Sequence, residues 1–155
     1  MNIEERLSDL GIEIPEAPRP VAAYVPGVVA GNLVFVSGQL PLVRGELLFC
    51  GKLGVDLNIE QGAAAARQAV LNCLGVLKAL LGDLNRIERI VKITGYVQSG
   101  EGFHAQPRVL NGASALLEEI FGERGRHARV AVGVNALPLN APCEVELIAQ
   151  IEDGT

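Results

Sequence analysis

The sequence predicts an α+β fold, a mixed β-sheet with two helices packed on one of its faces. Three observations carry this. Strand-like runs are interrupted by two long helical stretches, in the order β-β-β-α-β-α-β-β. Each of those stretches has one apolar stripe, the pattern of a helix lying on a sheet. Connections are short, and no repeat or low-complexity segment marks a second unit. Residues 1–155 therefore read as one domain, with residues 1–18 as an N-terminal helix and proline-rich extension.

Residues 2–10 form a short helix with Ile3, Leu7 and Leu10 on one side and Gly11 as its stop. Pro15 to Pro20 is an extended link with no regular element. Arg19 to Val29 reads as a strand broken at Pro26-Gly27. Asn32 to Leu40 (NLVFVSGQL) is the clearest early strand, on its β-branched and aromatic content. The glycine in Ser37-Gly38-Gln39 predicts a bulge or a close backbone approach to a ligand. Arg44-Gly45 turns the chain into a third strand, Glu46 to Cys50. Asn58 caps a helix from Ile59 to Leu81, in which Ala66, Ala69, Val70, Cys73, Leu74, Leu77 and Leu81 recur at three and four, and Gly82 ends it. Asp56 and Glu60 suit the dipole at its start. Arg89 to Gln98 is the fourth strand, and Gln106 to Phe121 the second amphipathic helix, stopped by Gly122.

Arg129 to Glu146 (RVAVGVNALPLNAPCEVE) closes the chain as a hairpin around a Leu137-Pro138 turn. Alternation puts Arg129, Ala131 and Gly133 on one face and Val130, Val132 and Val134 on the other. The valines are expected in the core, which leaves a guanidinium beside small residues with room for something to sit against it. In the second strand Cys143, Val145 and Leu147 are the apolar set, and Glu144 and Glu146 point the opposite way. In such a hairpin Glu144 lies opposite about residue 135 or 136, so Arg129 is roughly 20 Å from it at about 3.3 Å per residue. The two then belong to different sites or meet across a subunit boundary.

Composition narrows the function classes. Apolar residues make up 49 % and charged residues 20 %. Two helices cover one face of the sheet and nothing left in the chain covers the other, so a homo-oligomer is expected. No uninterrupted apolar run approaches the roughly 20 residues of a membrane span. The start, MNIEERLSDLG, is acidic and lacks a secretion pattern, which points to the cytoplasm. Cys50, Cys73 and Cys143 have no metal-ligand spacing and read as reduced, buried thiols. A net charge of −5 argues against nucleic acid as a partner. His104 and His127 have no partner at catalytic spacing and read as surface or loop residues.

Tyr24-Val25-Pro26-Gly27, Gly31-Asn32 and Ser37-Gly38-Gln39-Leu40-Pro41 resemble the N-terminal signature of the Rid family, the reactive-intermediate deaminases, also called YjgF-like or endoribonuclease L-PSP proteins. The long helix, Asn111, and Arg129, Leu137-Pro138 and Glu144-Val145-Glu146 match the same family in the same order. The resemblance covers roughly residues 20 to 152. The N-terminal helix and the VAVGV segment, Val130 to Val134, resemble a longer subgroup. It implies a chorismate mutase-like fold, a homotrimer with clefts between subunits, and hydrolysis of enamine/imine intermediates to 2-keto acids and ammonia.

Carried over residue by residue, the resemblance has Arg129 bind the substrate carboxylate, since a planar fork of donors matches two oxygens. Glu144 positions or activates water, or manages the proton on the imine nitrogen. Tyr24 lines the cleft, the Gly38 backbone approaches the 2-imino or 2-keto acid ligand, and Ser37 and Asn111 add polar wall contacts. No metal or cofactor is implied, because an imine carbon is already electrophilic. There are two departures. Ala131 stands where many family deaminases have a cysteine; alanine serves equally if that position contributes its carbonyl and not if it contributes a thiol. Ala22-Ala23 replaces a frequent Gly-Pro. Each residue also has a plainer reading: Arg129 as an interface ion-pair partner, Tyr24 as packing, Glu144 and Glu146 as solvated strand residues. Three classes follow: an imine hydrolase, a non-catalytic trimer that binds small carboxylates or acts as a regulator, and, least supported by the acidic charge and lack of paired histidines, a ribonuclease.

Overall fold

Capped helices set the framework. The computed structural model describes residues 1–18 and 23–153. The expected strand start at Arg19, the end of the proline-rich link, and Ala22 lie outside the described residues. Helix α1 (Ile3–Leu10) is capped by Asn2 and Gly11 and buries Ile3 and Leu7. In α2 (Ile59–Leu81) the Asn58 side chain accepts the Gln61 N–H while the Gln61 side chain accepts the Asn58 N–H, a reciprocal capping box. Gly82 closes it at φ 78°. Helix α3 (Gln106–Phe121) ends at Gly122. By length and composition α2 could cross a membrane, but 67 % of its most apolar window is buried inside the protein.

The strands are β1 (Gly27–Ala30), β2 (Leu33–Gln39), β3 (Leu42–Val43), β4 (Glu46–Leu47), β5 (Ile87–Gln98), β6 (Ala128–Val134) and β7 (Cys143–Ile151). β3 and β4 form a separate two-stranded ribbon, and the other five form one sheet in the order β1-β2-β7-β5-β6. The expected third strand, Glu46 to Cys50, therefore shrinks to Glu46–Leu47 and leaves the main sheet. Arg44 and Gly45 both have positive φ, 52° and 84°, the primed turn that suits a tight hairpin. Among the described residues of the strand expected over Arg19 to Val29, β1 starts at Gly27, within the Pro26-Gly27 signal.

The closing hairpin does not exist. β5 lies between β6 and β7, parallel to β6 and antiparallel to β7. The helix between β5 and β6 returns the chain to the starting end of the sheet, so β6 runs parallel to β5. The chain then crosses the end of β5 to reach β7, and Gln98 holds that crossing. Its buried side chain accepts the Leu137 N–H at 2.7 Å and donates to Asn140 Oδ1 at 2.8 Å and to the Gly51 carbonyl at 3.0 Å. Leu139 and Asn140, both at positive φ, make the sharp bend.

Helices cover one sheet face, as expected. Ile93, Val97, Cys143, Val145 and Leu147 are buried there against Val70, Leu74 and Leu77 of α2 and Leu110 of α3. Each such aliphatic side chain contributes roughly 1.5–3 kcal/mol. Helices α2 and α3 touch backbone to backbone: a Cβ on Gly112 would stand 2.0 Å from the Ala63 carbonyl oxygen. The expected placement of the β6 valines is reversed. Arg129 pairs with Ile93 on the helix face, so Val130 and Val132 lie on the open face, 42 % and 37 % exposed. Val28 and Phe35 lie on the same face toward the other edge of the sheet, 50 % and 43 % exposed, with Thr94, Tyr96, Glu144 and Glu146 of β5 and β7 between. Alternation told which residues share a face, and the presumption that the β-branched face is the core fails on this edge strand, where the valines face outward.

Candidate functional site

Two groups of side chains form, on opposite faces of the sheet. The first sits on the open face at β2 and β7. The register of that pair shifts between Val36 and Gln39, so Ser37-Gly38 is the expected bulge. It brings the Gly38 backbone against the Glu144 carboxyl: a Cβ at Gly38 would lie 2.8 Å from Glu144 Oε1. The close approach anticipated for a ligand is thus, within the chain, an approach to the candidate catalytic acid. Ser37 does not present its hydroxyl to this space. It donates to the Val25 carbonyl at 2.8 Å, and its N–H donates to the Pro26 carbonyl at 2.8 Å. That pair ties the Tyr24 segment beside the bulge, with the Tyr24 ring 57 % exposed.

Glu144 is half-buried. Burial foremost, and the neighbouring Glu146 charge second, raise its carboxyl above the ordinary range. Glu146, read from sequence as a solvated residue, has a partner instead: the Tyr96 hydroxyl donates to its Oε1 at 2.7 Å. That bond foremost, then burial and the two glutamate charges, raises the Tyr96 phenol.

The second group lies on the helix face where the edge strand β6 meets α3. Arg129 Nη1 donates to Asn111 Oδ1 at 2.9 Å and to Ser114 Oγ at 3.2 Å. His127 completes it, its Nε2 2.9 Å from Ser114 Oγ and its Nδ1 2.6 Å from the Gly125 carbonyl. Ser114, Glu118, Gly125, Arg126, His127 and Arg129 line a cleft of about 290 Å³. Burial, above all, holds the His127 imidazole below its ordinary value. Ala131 shares the Arg129 face and packs partly buried against the core.

Arg129 pairs with Ile93 and Glu144 with Tyr96, three residues apart on β5. Two strand spacings of about 4.8 Å and three rises of about 3.3 Å put their α-carbons roughly 14 Å apart. Their side chains leave opposite faces. The sequence expectation that they do not share one small ligand within a chain stands, for a different reason than the hairpin. Three assignments change. His127 is no isolated loop residue, Ser114 was overlooked, and Cys50 is exposed while Cys73 and Cys143 are buried. Some signals were present: His127, just before β6, is two residues from Arg129, and Asn111 and Ser114 are three apart on one helix face. Among the described residues no group of three or more His, Cys, Asp or Glu is placed to hold a metal.

This mixed sheet with its helices on one face defines an α+β protein of chorismate mutase-like fold. The model of the family described as "YjgF/chorismate_mutase-like, putative endoribonuclease" matches residues 4–151, and the chain belongs to that family. The protein Atu1372 of Agrobacterium tumefaciens, of known crystal structure, is 44 % identical with a TM-score of 0.90, covering 97 % of this chain and 92 % of its own. Protein TCP17 of Trypanosoma cruzi is 41 % identical over 152 residues, 97 % of this chain and 95 % of the relative. The 2-iminobutanoate/2-iminopropanoate deaminase of Escherichia coli is 31 % identical over 143 residues, 89 % of this chain and 94 % of the relative.

Proposed function

We propose that this chain is a hydrolytic deaminase of 2-imino acids and their enamine tautomers, with a site completed between copies of the chain in a homotrimer. The observation that carries the reading is the division of the site. An anchoring arginine with its supports lies at one sheet edge, a half-buried carboxyl lies over a glycine bulge on the open face, and neither serves a small substrate alone. Apolar side chains exposed on the open face, Val28 and Phe35 on one side and Val130 and Val132 on the other, favour the association that joins them. The likeness to the Escherichia coli deaminase supports the same chemistry.

In this mechanism Arg129 grips the substrate carboxylate through the guanidinium edge that Asn111 and Ser114 leave free. Glu144, ionised, takes a proton from water as the oxygen adds to the imine carbon, and the C=N bond becomes a C–N single bond. The nitrogen collects protons from Glu144 and solvent, the carbinolamine collapses, and a 2-keto acid and ammonia leave. One water is consumed for each ammonia released. A raised carboxyl suits a group that must both accept and return a proton near neutrality. Tyr24 and the Gly38 backbone border the ligand.

An amino-acid dehydratase generating 2-iminobutanoate in situ provides the test. Wild type is expected to accelerate keto-acid release, and Arg129→Ala and Glu144→Gln to lose that acceleration. Ala131 at the usual cysteine position favours the second reading, a carboxylate-binding protein without turnover. Wild type that binds 2-ketobutyrate in calorimetry but releases no keto acid faster than buffer would sink the deaminase and leave the binder.

A further inference from the structure

We propose that His127 is a positioning residue for Arg129, acting through the Ser114 hydroxyl. The inference rests on the reading of Arg129 as carboxylate anchor and extends it to how the guanidinium is held. A carbonyl only accepts, so the 2.6 Å contact between His127 Nδ1 and the Gly125 oxygen puts a proton on Nδ1. In the neutral ring that makes Nε2 an acceptor, and the 2.9 Å contact with Ser114 is a donation by the hydroxyl. With its proton committed, Ser114 Oγ offers only lone pairs, and Arg129 Nη1 donates to it at 3.2 Å. Asn111 Oδ1 accepts from the same nitrogen at 2.9 Å. Both Nη1 protons are then used. The edge left for a two-oxygen ligand is Nε with Nη2, so the relay selects a side-on grip and fixes the plane in which the carboxylate must arrive.

The relay needs a neutral imidazole. A proton on Nε2 turns that nitrogen into a donor, the Ser114 hydroxyl must rotate away, and a second cation stands beside Arg129. The surroundings oppose that proton. Arg129 on β6 and Arg126 just before it are cationic, and Arg89 of β5 reaches the Arg126 carbonyl at 3.1 Å. Glu118 of α3, the one carboxylate lining the cleft, is already engaged by Arg126 at 3.0 Å. Burial of the ring acts foremost in the same direction, and with the Arg129 charge it outweighs the Gly125 carbonyl and the Glu118 charge, which favour the proton.

Two measurements on the whole protein test this. In nitrogen NMR of the Arg129 side chain, wild type is expected to show separate Nη1 and Nη2 signals from a guanidinium held in one plane. Ser114→Ala and His127→Phe should each merge them, and Ser114→Thr, which keeps the hydroxyl, should restore them. In calorimetry with 2-ketobutyrate, each single variant should weaken binding by about five- to tenfold, the worth of one hydrogen bond. The double variant should be no worse than either single, because His127 acts only through Ser114. Losses that multiply in the double variant, or Arg129 signals unchanged by Ser114→Ala, overturn the proposal. Ser114→Ala keeps the test open should His127→Phe not fold. Undiminished binding by Arg129→Ala would overturn the anchor reading itself, while the NMR arm still judges the relay.

Discussion

Replacing Gly38 with alanine probes the packing of the open-face half without touching an ionisable group. The new Cβ would stand 2.8 Å from Glu144 Oε1, 3.0 Å from Cδ and 3.1 Å from Cγ. Ordinary contacts of this kind fall at about 3.5–4.0 Å, so the carboxyl end must withdraw by roughly 0.7 Å or rotate about its stem. A flexible, half-exposed side chain can do that at little expense to the fold. The thermal midpoint should move by no more than about 2–4 °C, the equivalent of about 1 kcal/mol in a chain of this size. Catalysis tolerates the shift far less, since about 1 Å of misplacement can lose about 100-fold. In the dehydratase-coupled assay, kcat/KM should fall by about 10- to 100-fold, mainly through kcat, because the carboxylate grip at Arg129 is untouched. Alanine at this position with wild-type turnover would refute the claim that the carboxyl acts from its seat over the bulge.

Three further outcomes follow from the same geometry. If ionised Glu144 is the working base, activity declines as pH falls through its raised value; Glu146→Gln removes one of the two causes of that rise and should move the acid limb of kcat/KM to lower pH, whereas an unmoved or higher limb contradicts the assignment. At Gly112 an added Cβ would meet the Ala63 carbonyl oxygen at 2.0 Å and its carbon at 2.7 Å, backbone that cannot step aside. Gly112→Ala should therefore cost about 1–3 kcal/mol or more in a denaturant melt, and an unshifted midpoint would mean that the helices separate freely. Of the three thiols, only Cys50 is exposed; burial foremost, then the Glu144 charge, pushes Cys143 up to about 12, and burial foremost also raises Cys73. A thiol reagent should modify one cysteine in the native protein, none after Cys50→Ser, and rapid labelling of a second site would argue against the buried placement.

Helices were legible where local chemistry marked an end. Asn58 with Gln61 and Gly82 bound α2, and Gly122 ends α3, because capping groups act on neighbours within four residues. Strand positions were nearly as clear, for Leu33–Gln39 and Cys143–Ile151 carry their faces in their alternation. Strand partners were not, since alternation says nothing about which edge a strand pairs with. The order β5, α3, β6 did hold the information, because a helix between two strands favours a parallel pair. The site was divided in the same way. Arg129, Glu144 and Gly38 stand out as types at fixed spacings. The roles of Ser114 and His127 arise from a contact between a helix and an edge strand, and Gln98 matters only because a crossing passes over it.

β7 is the last strand in sequence and the middle one in space. It fills the slot between β2 and β5, with core aliphatics on one side and Glu144 and Glu146 on the other. Until residues 143–151 have been synthesised, two strands separated by nearly fifty residues of chain have nothing to bridge them, and each presents an open edge. Sheet closure is thus a late, long-range event, slow to nucleate and exposed to mispairing between nascent chains. The strand that seals the sheet is also the one that delivers Glu144, so a chain cut short before β7 loses its fold and its chemistry together.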